Sequence, residues 1–143
     1  MLIVHILKDK GDKVYTLSSE ATLEEASREL GARRVGALVV VDEAGAPVGV
    51  LSERDIIREI AGRGAAALTR TAASAMSRGV ITADPNETVD DGLARMTERR
   101  VRHLPVMGRG QLMGVVSIGD LVKHKIAEVE EESAAMHAYI AAR

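Results

Sequence analysis

The chain contains no cysteine, no phenylalanine and no tryptophan, and it has only two tyrosines, Tyr15 and Tyr139. Without cysteine, disulfide bonds, thiolate metal ligands and catalysis by a thiol are excluded. Without a set of aromatic platforms, nucleic-acid recognition by base stacking is excluded as well. The core must therefore be built from Val, Ile, Leu, Ala and Met side chains.

The sequence also lacks a strong net charge and a long apolar run. Its 19 basic and 21 acidic residues leave a formal net charge of −2, which provides no broad positive field for nucleic acid or an anionic membrane. The apolar residues 2–7 are too few to span a bilayer, and no signal-peptide cleavage pattern follows them. We expect a soluble cytoplasmic protein that binds neither nucleic acid nor membranes.

One stretch of sequence occurs twice. Residues 49–57 read GVLSERDII, and residues 114–122, which lie 65 positions later, read GVVSIGDLV. Further upstream the matching residues lie 66 positions apart, as Thr16 and Thr82 do. The one-residue difference falls in a polar loop, where deletions are tolerated. A chain of 143 residues has the size of one compact domain, and we interpret it as two similar units that share a core.

Each unit is predicted to fold as strand, helix, strand, strand, helix. Thr22 begins the first helix, where Glu25 completes a capping box, and Gly31 is expected to end it. Pro105 indicates an edge position or a strand start for its segment. The predicted segments are a helix or entry strand at 2–8, strands at 14–17, 37–41, 48–51, 80–82, 104–107 and 112–116, helices at 22–30, 53–61, 88–96 and from 118, and a small-residue connector at 62–74.

The last helix is predicted to continue beyond the point where the corresponding helix of the first unit ends. Ile126, Val129, Met136 and Ile140 recur at helical spacing and form a narrow apolar stripe beside several glutamates. Such a stripe is more often a packing face, on the parent domain or on a partner, than part of a free helix. A homodimer is expected. The predicted divisions are a first repeat at 1–62, a connector at 63–74, a second repeat at 75–125 and an acidic amphipathic C-terminal helix at 126–143.

Both copies place a serine three residues before an aspartate at a predicted helix start, as Ser52 with Asp55 and Ser117 with Asp120. In one interpretation these are capping boxes, in which the serine hydroxyl and the carboxylate accept hydrogen bonds from backbone amides. In the other, the positive helix end faces a phosphate, and the carboxylate accepts hydrogen bonds from two ribose hydroxyls. Capping accepts Glu or Gln more readily than Asp, which slightly favours the second interpretation.

These repeats resemble a pair of cystathionine-β-synthase (CBS) domains, which are nucleotide-sensing modules. The resemblance covers residues 12 to 124 and recurs in register in both units. The chain is also similar to stand-alone bacterial members, in which one CBS pair and a glutamate-rich helical tail form the whole protein. The resemblance implies an α/β (α+β) fold of two β-α-β-β-α repeats packed as one disc-like module, with a C-terminal helical extension and no catalytic activity.

The resemblance also implies two clefts between the repeats that bind an adenine nucleotide such as AMP, NAD or ATP, without a metal. Asp55 and Asp120 would accept hydrogen bonds from the ribose hydroxyls, with Ser52 and Ser117 beside them. The remaining ligand-binding positions that the resemblance implies, at the adenine or phosphate entrance, the purine edge and the phosphate, are Tyr15, Thr16, Gly36, Ala37, Arg54, Ile81, Thr82, Arg102, His103, Leu104, Pro105 and Gly119.

The two copies differ where the phosphate is expected. Arg102 and His103 stand in the second copy where the first has Gly36 and Ala37, which supply no charge. The two clefts therefore need not hold the same ligand, and the sequence does not identify a regulated partner protein.

Two other functional classes, an enzyme and a structural dimerisation module, are compared with the sequence. An enzyme needs a nucleophile, a base or a metal in convergent geometry, and no metal-ligand spacing, triad or phosphate-loop pattern occurs; His124 is expected at the surface. The alternative function is a structural dimerisation module with vestigial ligand clefts, which presents its acidic tail to a partner.

Overall fold

The computed structural model describes residues 1–11 and 14–142 of the chain. They form two compact units: a central unit, which runs from Val14 to Ile81, and a split unit, which joins the N-terminal segment to the chain from Thr82 onward. Each unit contains one copy of the repeated stretch. In chain order the elements are α1 (Ile3–Lys10), β1 (Thr16–Ser18), α2 (Leu23–Arg33), β2 (Ala37–Val41), β3 (Pro47–Ser52), α3 (Glu53–Arg63), a 3₁₀ helix (Gly64–Thr69), α4 (Ala72–Ala75), α5 (Val89–Arg99), β4 (His103–Gly108), β5 (Gln111–Ser117) and α6 (Ile118–Ala141).

The central unit is built on a three-stranded sheet in the order β1-β2-β3. The middle strand β2 lies parallel to β1 and antiparallel to β3. Its continuous apolar run predicts a buried strand, and the structure confirms this, because four of its five residues are buried. Leucine, isoleucine and alanine side chains from α2, α3 and α4 pack with the strand residues in one apolar cluster.

The split unit has only a two-stranded antiparallel sheet, β4-β5, among the residues that the structure describes. The strand predicted at 80–82 is wrong, because the structure has only an isolated bridge between Ala83 and Val106 there. Ala83 donates to the Pro105 carbonyl and accepts from the Met107 amide. The pairing stops at Pro85, which has no N–H to donate. Pro105 lies inside β4, which has β5 on one side and only this isolated bridge on the other in the described residues, so a missing N–H is tolerated.

Each unit is completed by the segment that precedes the other repeat in the chain. In the split unit, Leu2 at the start of α1 bridges to Thr88, which caps α5. In the central unit, Thr71 at the start of α4 bridges to Thr22, which caps α2. Corresponding hydrogen bonds match as well, because the Val89 amide donates to the Met1 carbonyl as the Leu23 amide does to that of Arg70. The segment predicted as a plain connector is therefore a 3₁₀ helix and α4, both packed into the central unit.

The repeat also explains why β3 and β5 each contain a buried glycine at the same position. A Cβ on Gly49 would lie 2.8 Å from Met76 Cγ, and a Cβ on Gly114 would lie 2.8 Å from Leu7 Cδ2. Both distances are too short for a side chain to be added without movement. The two glycines therefore let two segments pack directly against the strands. These lead-in segments are the N-terminal segment with α1, which precedes the first repeat, and the segment from the 3₁₀ helix to Ser77, which precedes the second.

The predicted end of α2 at Gly31 is wrong, since the helix continues to Arg33 and ends at Arg34 in the left-handed conformation, with φ 55°. The Arg34 and Val35 amides both donate to the Leu30 carbonyl, and Val35 packs on the same apolar cluster as Leu30. The helix therefore ends where the next apolar residue can turn back onto the core. Helix α5 ends in the same way at Arg100.

Helix α6 is continuous from Ile118 to Ala141, as the predicted C-terminal extension requires. Its first turns are anchored by Leu121, which is fully buried. Residues 129–142 are all exposed. The predicted stripe of Ile126, Val129, Met136 and Ile140 is at least half exposed at each position.

Candidate functional site

The serine and aspartate of each repeated motif form a capping box at a helix start. In the central unit the Asp55 amide donates to Ser52 Oγ at 3.3 Å, and the Ser52 amide donates to Asp55 Oδ2 at 2.8 Å. In the split unit the corresponding distances between Ser117 and Asp120 are 3.1 and 2.8 Å. The capping interpretation is therefore confirmed in both copies. It uses only Oδ2 of each carboxylate, so a ligand-binding role for the other oxygen is compatible with it.

The two carboxylates differ in the cation that accompanies them. Asp55 is buried, and its Oδ1 accepts from the guanidinium of Arg58 at 3.3 Å, a side chain that is 76% exposed. Asp120 Oδ2 accepts from Lys10 Nζ at 2.8 Å, and the same ammonium donates to the Val115 carbonyl at 3.0 Å. Within the described part of the chain, Oδ1 of Asp120 has no hydrogen-bond donor.

The charge state of Asp120 follows from these contacts. Its partial burial disfavours the ionised form and alone would raise its pKa. The hydrogen bonds from Lys10 Nζ and from the Ser117 amide, with the positive charge of Lys10, act in the opposite direction. They outweigh burial, so the pKa of Asp120 lies below its ordinary value and the group is a carboxylate at neutral pH.

Strand pairing brings several predicted residues of the central unit together. Ala37 pairs with Ser52 in the register of β2 and β3, and the Gly36 carbonyl accepts from the first amide of α3 at 3.0 Å. Ala37 is buried, and Arg54 is exposed on the first turn of α3. Gly36, Ala37, Ser52, Arg54 and Asp55 therefore surround one helix start.

The split unit repeats this arrangement with charged side chains. His103 pairs with Ser117 in the register of β4 and β5, and the Arg102 carbonyl accepts from the first amide of α6 at 2.8 Å. Arg102 and Gly119 are exposed, whereas His103 is half-buried. Arg102, His103, Ser117, Gly119 and Asp120 therefore lie around the start of α6.

The remaining predicted residues lie on other segments, apart from Leu104 and Pro105, which follow His103 in β4. Thr16 begins β1 and pairs with Val39, and the Arg33 guanidinium carbon lies 4.6 Å from the centre of the Tyr15 ring. The Thr82 carbonyl accepts from Arg95 at 2.9 Å, and the side chain of Ile81 is half-buried. Leu104 and Pro105 are buried in the interior of the split unit.

Sequence reasoning missed Lys10, which stands 110 residues from Asp120. No local spacing connects the two residues. The contact depends on which unit the N-terminal helix joins, so no signal in the sequence could have found it. The expected surface position of His124 is also corrected, since its side chain is only 15% exposed and its ring nitrogens lie 2.9 Å from the Asp120 carbonyl and 3.2 Å from Asp9 Oδ2.

The described residues were also compared with the requirements of a metal site, a ligand groove and a membrane span. No group of three or more His, Asp or Glu side chains is placed to hold a metal ion in the part of the chain that the structure describes. A groove of about 530 Å³ lies on the central unit, lined by residues of α2 and α3 together with Val35 and Gly36. None of the helices in the described ranges is both long and apolar enough to cross a membrane.

Comparison with known proteins identifies the family. The family model for the CBS domain matches residues 10–62 and again residues 72–127. The chain therefore belongs to the CBS domain family and carries two CBS domains. It is 32% identical over 146 aligned positions to the mitochondrial CBS domain-containing protein CBSX3 of Arabidopsis thaliana, covering 96% of this chain and 71% of that protein. It is 30% identical over 122 positions to YhcV of Bacillus subtilis, covering 85% of this chain and 86% of that protein.

Solved structures show the same fold. The CBS-domain containing protein ATU1752 from Agrobacterium tumefaciens is 38% identical with a TM-score of 0.83, covering 87% of this chain and 92% of that one. A CBS domain protein from Pyrobaculum aerophilum, complexed with AMP, is 31% identical with a TM-score of 0.75, covering 84% and 89%. The CBS domain pair of protein MJ0100, complexed with 5′-methylthioadenosine and S-adenosylmethionine, is 26% identical with a TM-score of 0.79, covering 90% and 98%.

Proposed function

We propose that this chain is a regulatory module that binds adenosine nucleotides through Asp55 and Asp120. The observation that carries the proposal is the state of the two carboxylates. Each has Oδ2 fixed by the capping box, at the start of a helix whose dipole favours a negatively charged group there. A carboxylate oriented in this way before the ligand arrives loses little conformational entropy on accepting hydrogen bonds from ribose hydroxyls.

Two relatives of known structure support the class of ligand. One is a complex with AMP and the other a complex with 5′-methylthioadenosine and S-adenosylmethionine, and all three ligands contain an adenosine group. We propose AMP as the ligand of this chain, with NAD and ATP as the nearest alternatives and without a metal ion.

The predicted contacts of the phosphate also belong to this proposal. Arg102 is exposed beside the start of α6, next to the half-buried His103, whereas Gly36 and Ala37 stand at the matching positions of the central unit. A guanidinium forms charge-assisted, often bidentate hydrogen bonds with phosphate. The site at α6 is therefore proposed to bind the phosphorylated ligand more tightly than the site at α3.

The second candidate function is a dimerisation module, and the exposed stripe on α6 favours it. Ile126, Val129, Met136 and Ile140, which form the predicted stripe, are each at least half exposed on α6. A second copy of the chain would bury such a stripe. We propose that the protein is a cytoplasmic homodimer that transmits nucleotide binding to a regulated partner protein. The predicted boundaries after residues 62, 74 and 125, which separate the first repeat, the connector, the second repeat and the C-terminal helix, belong to the same proposal.

Calorimetric titration of protein stripped of ligand tests the binding function. AMP, ATP and NAD are titrated separately, and each is also added in thermal unfolding scans. A ligand at a hundredfold excess over its Kd should stabilise the fold by about 2.7 kcal/mol. If none of the three produces heat or raises Tm, the dimerisation module is the better account.

A further inference from the structure

Lys10 is the one cation of the N-terminal helix that reaches the proposed ribose carboxylate. Its ammonium lies 2.8 Å from Asp120 Oδ2 and 3.0 Å from the Val115 carbonyl oxygen. The ammonium has three N–H donors, so two are used by these acceptors and one can face a ligand. The Lys10 side chain remains 39% exposed, which leaves the ion pair accessible from solvent.

The contact is specific to the split unit. In the central unit, Val50 occupies the position that matches Val115, and its carbonyl accepts from the backbone amide of Ser77 at 2.9 Å. In the split unit the Val115 carbonyl accepts from the charged side chain of Lys10. Asp120 is therefore accompanied by Lys10, whereas the cation beside Asp55 is the more exposed Arg58.

This charge changes the electrostatics of the α6 start. Asp120 is the only acidic residue in the first turn of α6, whereas the first turn of α3 contains both Glu53 and Asp55. An unpaired carboxylate repels a ligand phosphate at short range, and this repulsion is strong when the groups are partly desolvated. Paired with Lys10, Asp120 keeps its hydrogen-bonding oxygens, but the pair has no net charge.

We propose that Lys10 makes the α6 site selective for adenosine ligands with a negatively charged 5′ group, such as adenosine monophosphate, over neutral or sulfonium-containing adenosine compounds. This inference rests on the proposed ribose role of Asp120. The ribose hydroxyls donate to the carboxylate, whose Oδ1 has no hydrogen-bond donor among the described residues. The phosphate then meets the positive helix end, the third donor of Lys10 and the exposed Arg102, without the opposing field of an unpaired carboxylate.

The test compares Lys10→Met with Lys8→Met in the full chain. Methionine keeps the aliphatic length of lysine without its charge, and Lys8 is exposed two residues earlier on the same helix, so it controls for a general loss of positive charge. AMP, adenosine and S-adenosylmethionine are titrated into each protein, and binding is followed by NMR on the backbone amide of Gly119, which reports on the α6 site alone.

Lys10→Met should weaken AMP binding at least about tenfold, which corresponds to about 1.4 kcal/mol, and leave adenosine within about threefold of its original Kd. Affinity for S-adenosylmethionine should stay the same or rise, because the repelling ammonium is gone. Lys8→Met should leave all three affinities unchanged, and Lys10→Arg should restore most of the preference for AMP. Circular dichroism and Tm of each variant establish that it is folded.

Three results would overturn the inference. If Lys10→Met keeps the original ratio of AMP to adenosine affinity, Lys10 does not select the ligand, and the proposed function stands without it. If Lys10→Met binds AMP more tightly, Lys10 competes with the ligand for Asp120. If no adenosine compound shifts the Gly119 amide in any of the proteins, the ribose site at α6 is absent, and the inference falls with it.

Discussion

Replacing Asp120 with asparagine separates its two roles, because the cap and the ribose site require different things of the side chain. In the unchanged protein the Ser117 amide donates to Asp120 Oδ2 at 2.8 Å. Asparagine still offers this amide one acceptor oxygen, so the cap is kept. The loss from the cap should be about 0.5 kcal/mol or less. The lost ion pair with Lys10, whose partners are 39% and 24% exposed, should cost at most about 1 kcal/mol more. A fall in Tm of a few degrees is therefore expected.

The effect on nucleotide binding should be larger. A carboxylate accepts charge-assisted hydrogen bonds from two ribose hydroxyls, each worth about 1.5–3 kcal/mol. Asparagine has a single acceptor oxygen, so AMP affinity at the α6 site should fall at least about tenfold, or about 1.4 kcal/mol. Isothermal titration calorimetry measures this change, and thermal unfolding of the same preparation measures stability.

A matched control for this variant exists within the chain. Asp91 occupies the same position in the capping box of α5, with its amide donating to Thr88 Oγ1 at 3.1 Å and its carboxylate accepting from the Thr88 amide at 3.1 Å, and no ligand role is proposed for it. Asp91→Asn should lower Tm without changing AMP affinity. If Asp120→Asn behaves in the same way as Asp91→Asn, Asp120 is a helix cap and nothing more.

Three substitutions and one deletion give further predictions. Lys10→Met should raise the pKa of Asp120 towards its ordinary value, and an NMR titration of the Asp120 carboxyl carbon measures the change. Because the pKa of Asp120 is lowered in the folded state, its ionised form stabilises the fold at pH values above the unfolded-state pKa of about 3.9. This stabilisation is lost as the pH falls through the folded-state pKa. Gly114→Ala should destabilise the protein by about 1–3 kcal/mol, since its Cβ would lie 2.8 Å from a leucine methyl carbon on α1. Gly31→Ala, with nothing within 4 Å, should instead stabilise it by about 0.4–1 kcal/mol; equal Tm changes would contradict this contrast. Deleting residues 127–143 should convert the proposed dimer into a monomer by light scattering, and an unchanged dimer mass would assign the interface elsewhere.

The parts of the fold that were predictable are those set by local sequence. The capping boxes at Thr22, Ser52 and Ser117 are predictable, because each is formed by residues only three positions apart. The buried strand β2 was predictable for a similar reason, since a short apolar run identifies a strand covered on both faces.

The helix ends were not predictable from composition, because tertiary packing places them. Gly31 suits a left-handed helix end, yet the chain turns at Arg34, which lets Val35 pack on the core. An arginine accepts the positive φ there because two backbone amides donate to the Leu30 carbonyl. Sequence alone shows the cost of that conformation but not the contacts that offset it.

The exchange of lead-in segments and the Lys10 contact were also out of reach. Leu2 bridges to Thr88, and Lys10 reaches Asp120 across 110 residues of chain. Neither contact leaves a spacing in the sequence, because it depends on which unit the N-terminal helix joins. The positions of the two aspartates were found by repetition, whereas the difference between them required the structure.

The central claim is that both repeated aspartates bind the ribose of an adenosine nucleotide. The most direct measurement follows the side-chain carboxyl carbon signals of Asp55, Asp120 and Asp91 by NMR while AMP is titrated into stripped protein. The account predicts a saturable shift at Asp120, a weaker or later one at Asp55, and none at Asp91. Saturable AMP binding that leaves the Asp55 and Asp120 signals in place would contradict it, as would the absence of any binding.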